Sequence, residues 1–116
     1  MSPQPVEAAQ FVVSDAFTRQ VPLSTYFDGI RGTLMDVPVF LFDSGRPGGS
    51  VLILGGAHPY EPASPMTAYV MMENLTVSEG RVFVIARANM SASTQGMLGN
   101  AYPPFFRVKT PWGEKT

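Results

Sequence analysis

The chain's single histidine, His58, stands three residues before Glu61. Imidazole nitrogen and carboxylate oxygen are both zinc donors, and a catalytic zinc site takes three protein donors and leaves a fourth position open. The pair follows the apolar run Val51–Leu54 and the dipeptide Gly55-Gly56, and it precedes Pro62. A strand, a sharp turn and a helix start bring polar groups to the carboxyl edge of a parallel sheet, where α/β proteins place their ligands. His-x-x-Glu alone is a common spacing. A loop histidine beside an N-terminal helix carboxylate explains it without any metal. The Gly-Gly turn relieves crowding where the backbone bends toward the edge. It is not a phosphate loop, since no Lys-Ser/Thr follows it.

The chain has no second histidine and no cysteine. Asp28, Asp36, Asp43 and Glu73 qualify as a third donor by type only, and each is better explained as a solvated, turn or helix-surface carboxylate. The residues alone therefore do not complete a three-donor site. Arg87 and Asn89 fall at the end of the next apolar run and so at the same sheet edge. They are assigned to substrate binding, with Arg87 facing Glu61 or a substrate carboxylate. A surface arginine and a turn asparagine are the structural alternative. Ser64 lacks the Gly-x-Ser-x-Gly elbow of a serine nucleophile. No catalytic acid or base is assigned.

The elements that must position these residues read as an α/β core over 31–90, preceded by a loose segment over 1–30 and followed by an irregular tail over 91–116. Val37–Phe42 favours a strand that begins at Pro38 or lies at an edge, because proline cannot donate to a ladder. The turn Asp43–Gly49 leads directly into Ser50–Leu54, which predicts an antiparallel hairpin. Val51–Leu54 is apolar without alternation, the pattern of a strand covered on both faces. Pro62–Leu75 is predicted as a helix with proline at its first position and Glu61 at or next to the N-cap. Ala68, Met71, Met72 and Leu75 form its apolar stripe, widened by Tyr69 and Val70. Arg81–Ala86 is the strand that closes a right-handed βαβ unit. Val21–Gly29 reads as irregular chain. Beyond Arg87 no regular element is predicted, as if the chain stopped within a domain.

The 116 residues support one domain at most. Charged residues make up 15% and the net charge is -1. That composition gives no field for nucleic acid, and it implies surface that another part of a longer chain or another subunit covers. No run is long enough for a transmembrane span. The N-terminus lacks the basic and apolar regions of a secretory signal, which favours a cytoplasmic location.

At Gly55-Gly-Ala-His58-Pro-Tyr-Glu61-Pro-Ala-Ser-Pro, the Met-rich helix and Gly80-Arg-Val-Phe-Val-Ile-Ala-Arg-Ala-Asn89, the chain resembles the succinylglutamate desuccinylase/aspartoacylase family of zinc carboxypeptidase-like hydrolases. The match spans about a third of the chain. It implies the amino-terminal part of that α/β fold, with Zn2+ held by His58 and Glu61. It also implies hydrolysis of an amide bond in an N-acyl amino acid or peptide-like small molecule. The family's third ligand, a histidine, its general-base glutamate and its main substrate arginines lie further along. The isolated chain is accordingly expected to be inactive. Pro59 and Met90 stand where the family commonly has glycine and proline. The alternative is a non-catalytic α/β module that binds a partner chain through Phe105, Phe106 and Trp112.

Overall fold

In the computed structural model the described residues are 12–58, 61–93 and 107–116. They form a mixed α/β structure. Strand β1 (Arg19–Pro22) leads into two short 3-10 turns, Leu23–Thr25 and Asp28–Ile30. There follow β2 (Pro38–Asp43), β3 (Ser50–Leu54), helix α1 (Ala63–Asn74), β4 (Arg81–Ile85) and the single-turn α2 (Met90–Ser93). A hairpin of β5 (Val108–Thr110) and β6 (Gly113–Lys115) completes the described elements.

The main sheet has the order β1-β2-β4-β3. β3 and β4 are parallel, with Ser50 opposite Arg81 and Leu54 opposite Ile85. β3, α1 and β4 are thus the expected βαβ unit. The antiparallel hairpin between β2 and β3 is not formed. β4 lies between them and pairs antiparallel with β2, Phe40 opposite Val84. The physical reason is the connection. A two-residue turn holds strands at one spacing, whereas Ser44–Gly49 spans two spacings of roughly 5 Å each.

That connection wraps around the start of β4. Ser44 Oγ donates to the Gly80 carbonyl at 2.8 Å, Gly80 N–H donates to the Arg46 carbonyl, and Arg81 N–H to the Gly49 carbonyl, both at 3.0 Å. The contact has no room for side chains. A Cβ on Gly48 would sit 2.6 Å from the Gly80 nitrogen, and one on Gly80 would overlap the Gly49 carbonyl oxygen.

Each face of the sheet has its own core. On one, Phe40, Phe42 and Val84 pack with Ala68 and Met72 of α1, joined by Ile53, Tyr69 and Leu75. Phe17, just before β1, stands edge-on to Phe42 at 5.6 Å between ring centroids. On the other face Val37, Val39 and Ile85 gather Val21, Leu23, Phe83, Ala88 and Met90. Burying a side chain the size of Phe42 or Met72 contributes about 1.5–3 kcal/mol. The helix buries Ala68 and Met72, while Met71 and Val70 are exposed. The predicted stripe is therefore narrower than its sequence pattern.

Three expectations are corrected. Among the described strands Val51–Leu54 lies at the sheet edge rather than covered, and Val51, Leu52 and Leu54 are exposed. The segment over 1–30 read as loose contains β1, which pairs with β2 from Arg19 opposite Leu41 to Pro22 opposite Pro38. Partnering rather than propensity makes it a strand. The tail read as structureless contains α2 and the β5–β6 hairpin. β5 abuts the 3-10 turn at Asp28–Ile30 so closely that a Cβ on Gly29 would overlap the Lys109 carbonyl oxygen. Pro38 opens β2 as expected, its missing donor placed at the strand start.

The link between β1 and β2 is pinned by Asp36. Its carboxylate accepts from the Ser24 N–H and from Ser24 Oγ, both at 2.8 Å. Ser24 is buried, so this pairing satisfies its hydroxyl. The backbone hydrogen bond from Ser24, more than any other interaction, holds the Asp36 carboxyl below its usual range. A depressed folded value contributes stability that is complete above the ordinary carboxylate range and is lost as pH falls through the folded value. The melting temperature is therefore expected to fall on acidification. In Asp36→Asn that slope should be shallower and the neutral-pH melting temperature lower. Parallel melting curves for the two proteins over the acid range check this. Identical slopes would remove Asp36 from the linkage.

Candidate metal centre

Chain geometry at the carboxyl end of β3 is set by two glycines. Gly55 keeps the ladder: its N–H donates to the Ile85 carbonyl at 2.8 Å and its carbonyl accepts from Ala88 N–H at 2.8 Å. Gly56 turns away at φ 66°, a left-handed conformation that favours glycine. Its carbonyl accepts from Asn89 N–H at 3.1 Å. Both are buried against the turn after β4. A Cβ on Gly55 would lie 2.8 Å from the Ala86 carbonyl oxygen and 2.9 Å from both Ala68 Cβ and the Ser64 carbonyl oxygen. The glycine pair thus serves close backbone approach, as its sequence position predicts.

Ser64 locks this turn to the helix. Its hydroxyl accepts from Gly56 N–H at 2.8 Å. Sequence reasoning weighed Ser64 as a nucleophile and missed this role. The available signal was a serine in the first turn of a helix next to a glycine bend, where short hydroxyl side chains bond to nearby backbone. Pro62 is the N-cap residue, one position earlier than predicted, with no side-chain capping bond. Glu61 directly precedes it. The Glu61 carbonyl accepts from Ser64 N–H at 3.2 Å, which fixes the backbone of Glu61 against the first turn.

His58 and Glu61 meet. His58 Nδ1 lies 3.7 Å from Glu61 Oε1, and the two side chains are 77% and 67% exposed. Donors about 2.0–2.2 Å from a tetrahedral zinc lie roughly 3.4 Å from one another. The separation of this pair is within a few tenths of an ångström of that value. At this exposure an ion pair between them contributes little by itself.

Among the described residues no other donor joins them, and no group of three or more His, Cys, Asp or Glu is placed to hold one ion. Asp28 accepts from Arg31 Nε at 2.6 Å, Asp36 binds Ser24, and Asp43 Oδ1 accepts from Gly45 N–H at 2.9 Å. Glu73 is exposed on α1. Each carboxylate considered from sequence is thus in a local or solvent-facing role. Arg87 and Asn89 do lie at the same edge, in the turn after β4, and both are half-buried. The backbone of Asn89 is tied to Gly56, and Ser91 Oγ lies 3.5 Å from its Oδ1. Pro59, Phe105 and Phe106, which figure in the sequence reading, lie outside the described residues. Trp112 is described, and at 84% exposure it is the most open large apolar side chain among the described residues. No described helix is long and apolar enough to cross a membrane.

Comparison with known proteins gives no match to a family model, a curated protein or a solved structure.

Proposed function

We propose that this chain is the amino-terminal part of a zinc-dependent amidohydrolase of the succinylglutamate desuccinylase/aspartoacylase type, supplying two of its three metal donors. One observation carries the reading: Nδ1 of the only histidine and a carboxylate oxygen of Glu61 face one another at 3.7 Å, at the carboxyl end of a strand in a parallel pair. Zinc, when bound, would polarise an amide carbonyl and lower the pKa of a coordinated water. His58 and Glu61 would hold it from one side. The Gly55-Gly56 turn and the Ser64 hydroxyl would fix the distance between them, with Arg87 and Asn89 lining the substrate side. The third donor and the general base come from a further segment or another polypeptide. The substrate class is an N-acyl amino acid or a peptide-like amide.

The test is calorimetric zinc titration of the 116-residue chain. Two exposed donors predict one-to-one binding of only micromolar to millimolar affinity, lost in His58→Ala and in Glu61→Gln. Nanomolar binding by the unaltered chain would overturn the incomplete site. Equal binding by His58→Ala would remove the metal reading altogether. In a longer polypeptide containing this segment, His58→Ala should abolish amide hydrolysis. The second reading, a partner-binding module, rests on Trp112 at the turn of the β5–β6 hairpin. Retained hydrolysis and metal content in His58→Ala would favour it.

A further inference from the structure

We propose that Ser64 is a positioning residue for the His58–Glu61 pair, and that it couples metal affinity to the first turn of α1. The inference rests on the zinc reading and names the residue that tunes how tightly the pair binds.

His58 and Glu61 are 77% and 67% exposed, so packing does not hold their side chains in place. Their approach depends on the backbone that carries them. Donors held in advance lose less freedom on capturing an ion, and bind it more tightly.

Ser64 ties down that backbone on both sides of the pair. Its hydroxyl oxygen accepts from Gly56 N–H at 2.8 Å, and Gly56 stands two residues before His58. Its own N–H donates to the Glu61 carbonyl at 3.2 Å, while Glu61 N–H donates to the His58 carbonyl at 3.4 Å. One residue is thus bonded to the bend that leads to His58 and to the backbone of Glu61 itself. The Gly56 carbonyl is held by Asn89 N–H at 3.1 Å, a backbone bond that does not involve a side chain. The Ser64 hydroxyl is the part of this anchorage that a single substitution removes.

Gly56 is the position where release would matter most. It sits at φ 66°, and a glycine freed from its hydrogen bond has more conformations open to it than any other residue. The Ser64 bond also reaches out of the helix. Thr67 is the contrast, since its Oγ1 donates to the Ala63 carbonyl at 2.7 Å, inside α1.

The coupling is reciprocal. If the Ser64–Gly56 bond raises zinc affinity by some factor, bound zinc strengthens that bond by the same factor. Hydrogen exchange at the Gly56 amide reports how often the bond opens.

His58 is the only histidine, so its imidazole signals are unambiguous when the 116-residue chain is titrated with zinc by NMR. Ser64→Ala should raise the zinc dissociation constant about three- to tenfold, the range for one lost hydrogen bond. Ser64→Thr, which returns the oxygen, should recover most of the affinity. Thr67→Ala, which removes a hydroxyl from the same helix, should leave it unchanged. In the unaltered chain, saturating zinc should slow Gly56 exchange by the factor that Ser64→Ala costs in affinity. That effect should be absent in Ser64→Ala. Glu61→Gln separates this inference from the metal reading. If Glu61→Gln weakens binding while Ser64→Ala binds like the unaltered chain, the pair stands and the role of Ser64 is overturned. The role is also overturned if Thr67→Ala weakens binding as much as Ser64→Ala. A Ser64→Thr chain that protects the Gly56 amide yet binds as weakly as Ser64→Ala overturns it too. His58 signals that do not respond to millimolar zinc overturn the metal reading, and this inference with it.

Discussion

Phe42→Ala is expected to lose about 3–5 kcal/mol of stability, the range for deleting a buried aromatic ring. Phe42 has no exposed surface and lies in the cluster that joins β2 and β4 to α1. Its ring also receives the edge-on contact of Phe17, so the deletion would loosen the segment before β1 as well. Domains are typically stable by only about 5–15 kcal/mol. The loss is thus a large fraction of the total. In urea the transition midpoint should fall with little change in slope. Phe42→Leu should cost far less, because most of the volume remains. A Phe42→Ala loss under about 1 kcal/mol would mean that this face is not one packed core.

The second large effect is at Gly55. Gly55→Ala places a methyl group within 2.9 Å of Ala86 O, Ala68 Cβ and Ser64 O. Two of these are backbone atoms of different elements, so relief requires α1 or the turn after β4 to move. Overpacking of this kind costs about 1–3 kcal/mol. For a chain of this size that lowers the melting temperature by on the order of 10 °C at the upper end. Gly49→Ala is the matched control. A Cβ there meets nothing within 4 Å, and the backbone is not left-handed. It should be neutral or slightly stabilising, because alanine narrows the unfolded ensemble. Comparable melting temperatures for the two alanine variants would remove the close-approach role of Gly55. Because Ser64 sits in the strained contact, Gly55→Ala should also weaken zinc binding wherever it is measurable.

How much of this was legible in the sequence depends on the range of the interactions involved. The βαβ unit could be read because its signals are local: an apolar run, a glycine bend, proline at a helix start, and a second apolar run. The meeting of His58 with Glu61 could be read for the same reason, since three residues of chain bring them together. The insertion of β4 between β2 and β3 could not be read. It depends on a six-residue connection reaching over Gly80, and the strand residues alone equally permit a hairpin. The edge position of β3 was misread because an uninterrupted apolar strand implies cover, and no described neighbour provides it. β1 and the β5–β6 hairpin escaped notice because strands of three or four residues are too short to show a period. β1 exists through pairing with β2, and the β5–β6 hairpin through its own two-strand ladder.

The interleaved strand order also constrains when the sheet can assemble. β2 and β3 both precede α1 in the chain, yet each takes its inner neighbour from β4. During synthesis the β1–β2 pair can form early, from residues close in sequence. β3 has no partner until the ribosome has released Arg81–Ile85. For some thirty residues of elongation, an uncharged apolar segment therefore precedes its native partner. Strand Arg81–Ile85 acts as a keystone delivered late, and the interval before its arrival is when the unpaired apolar strand is most open to misassociation.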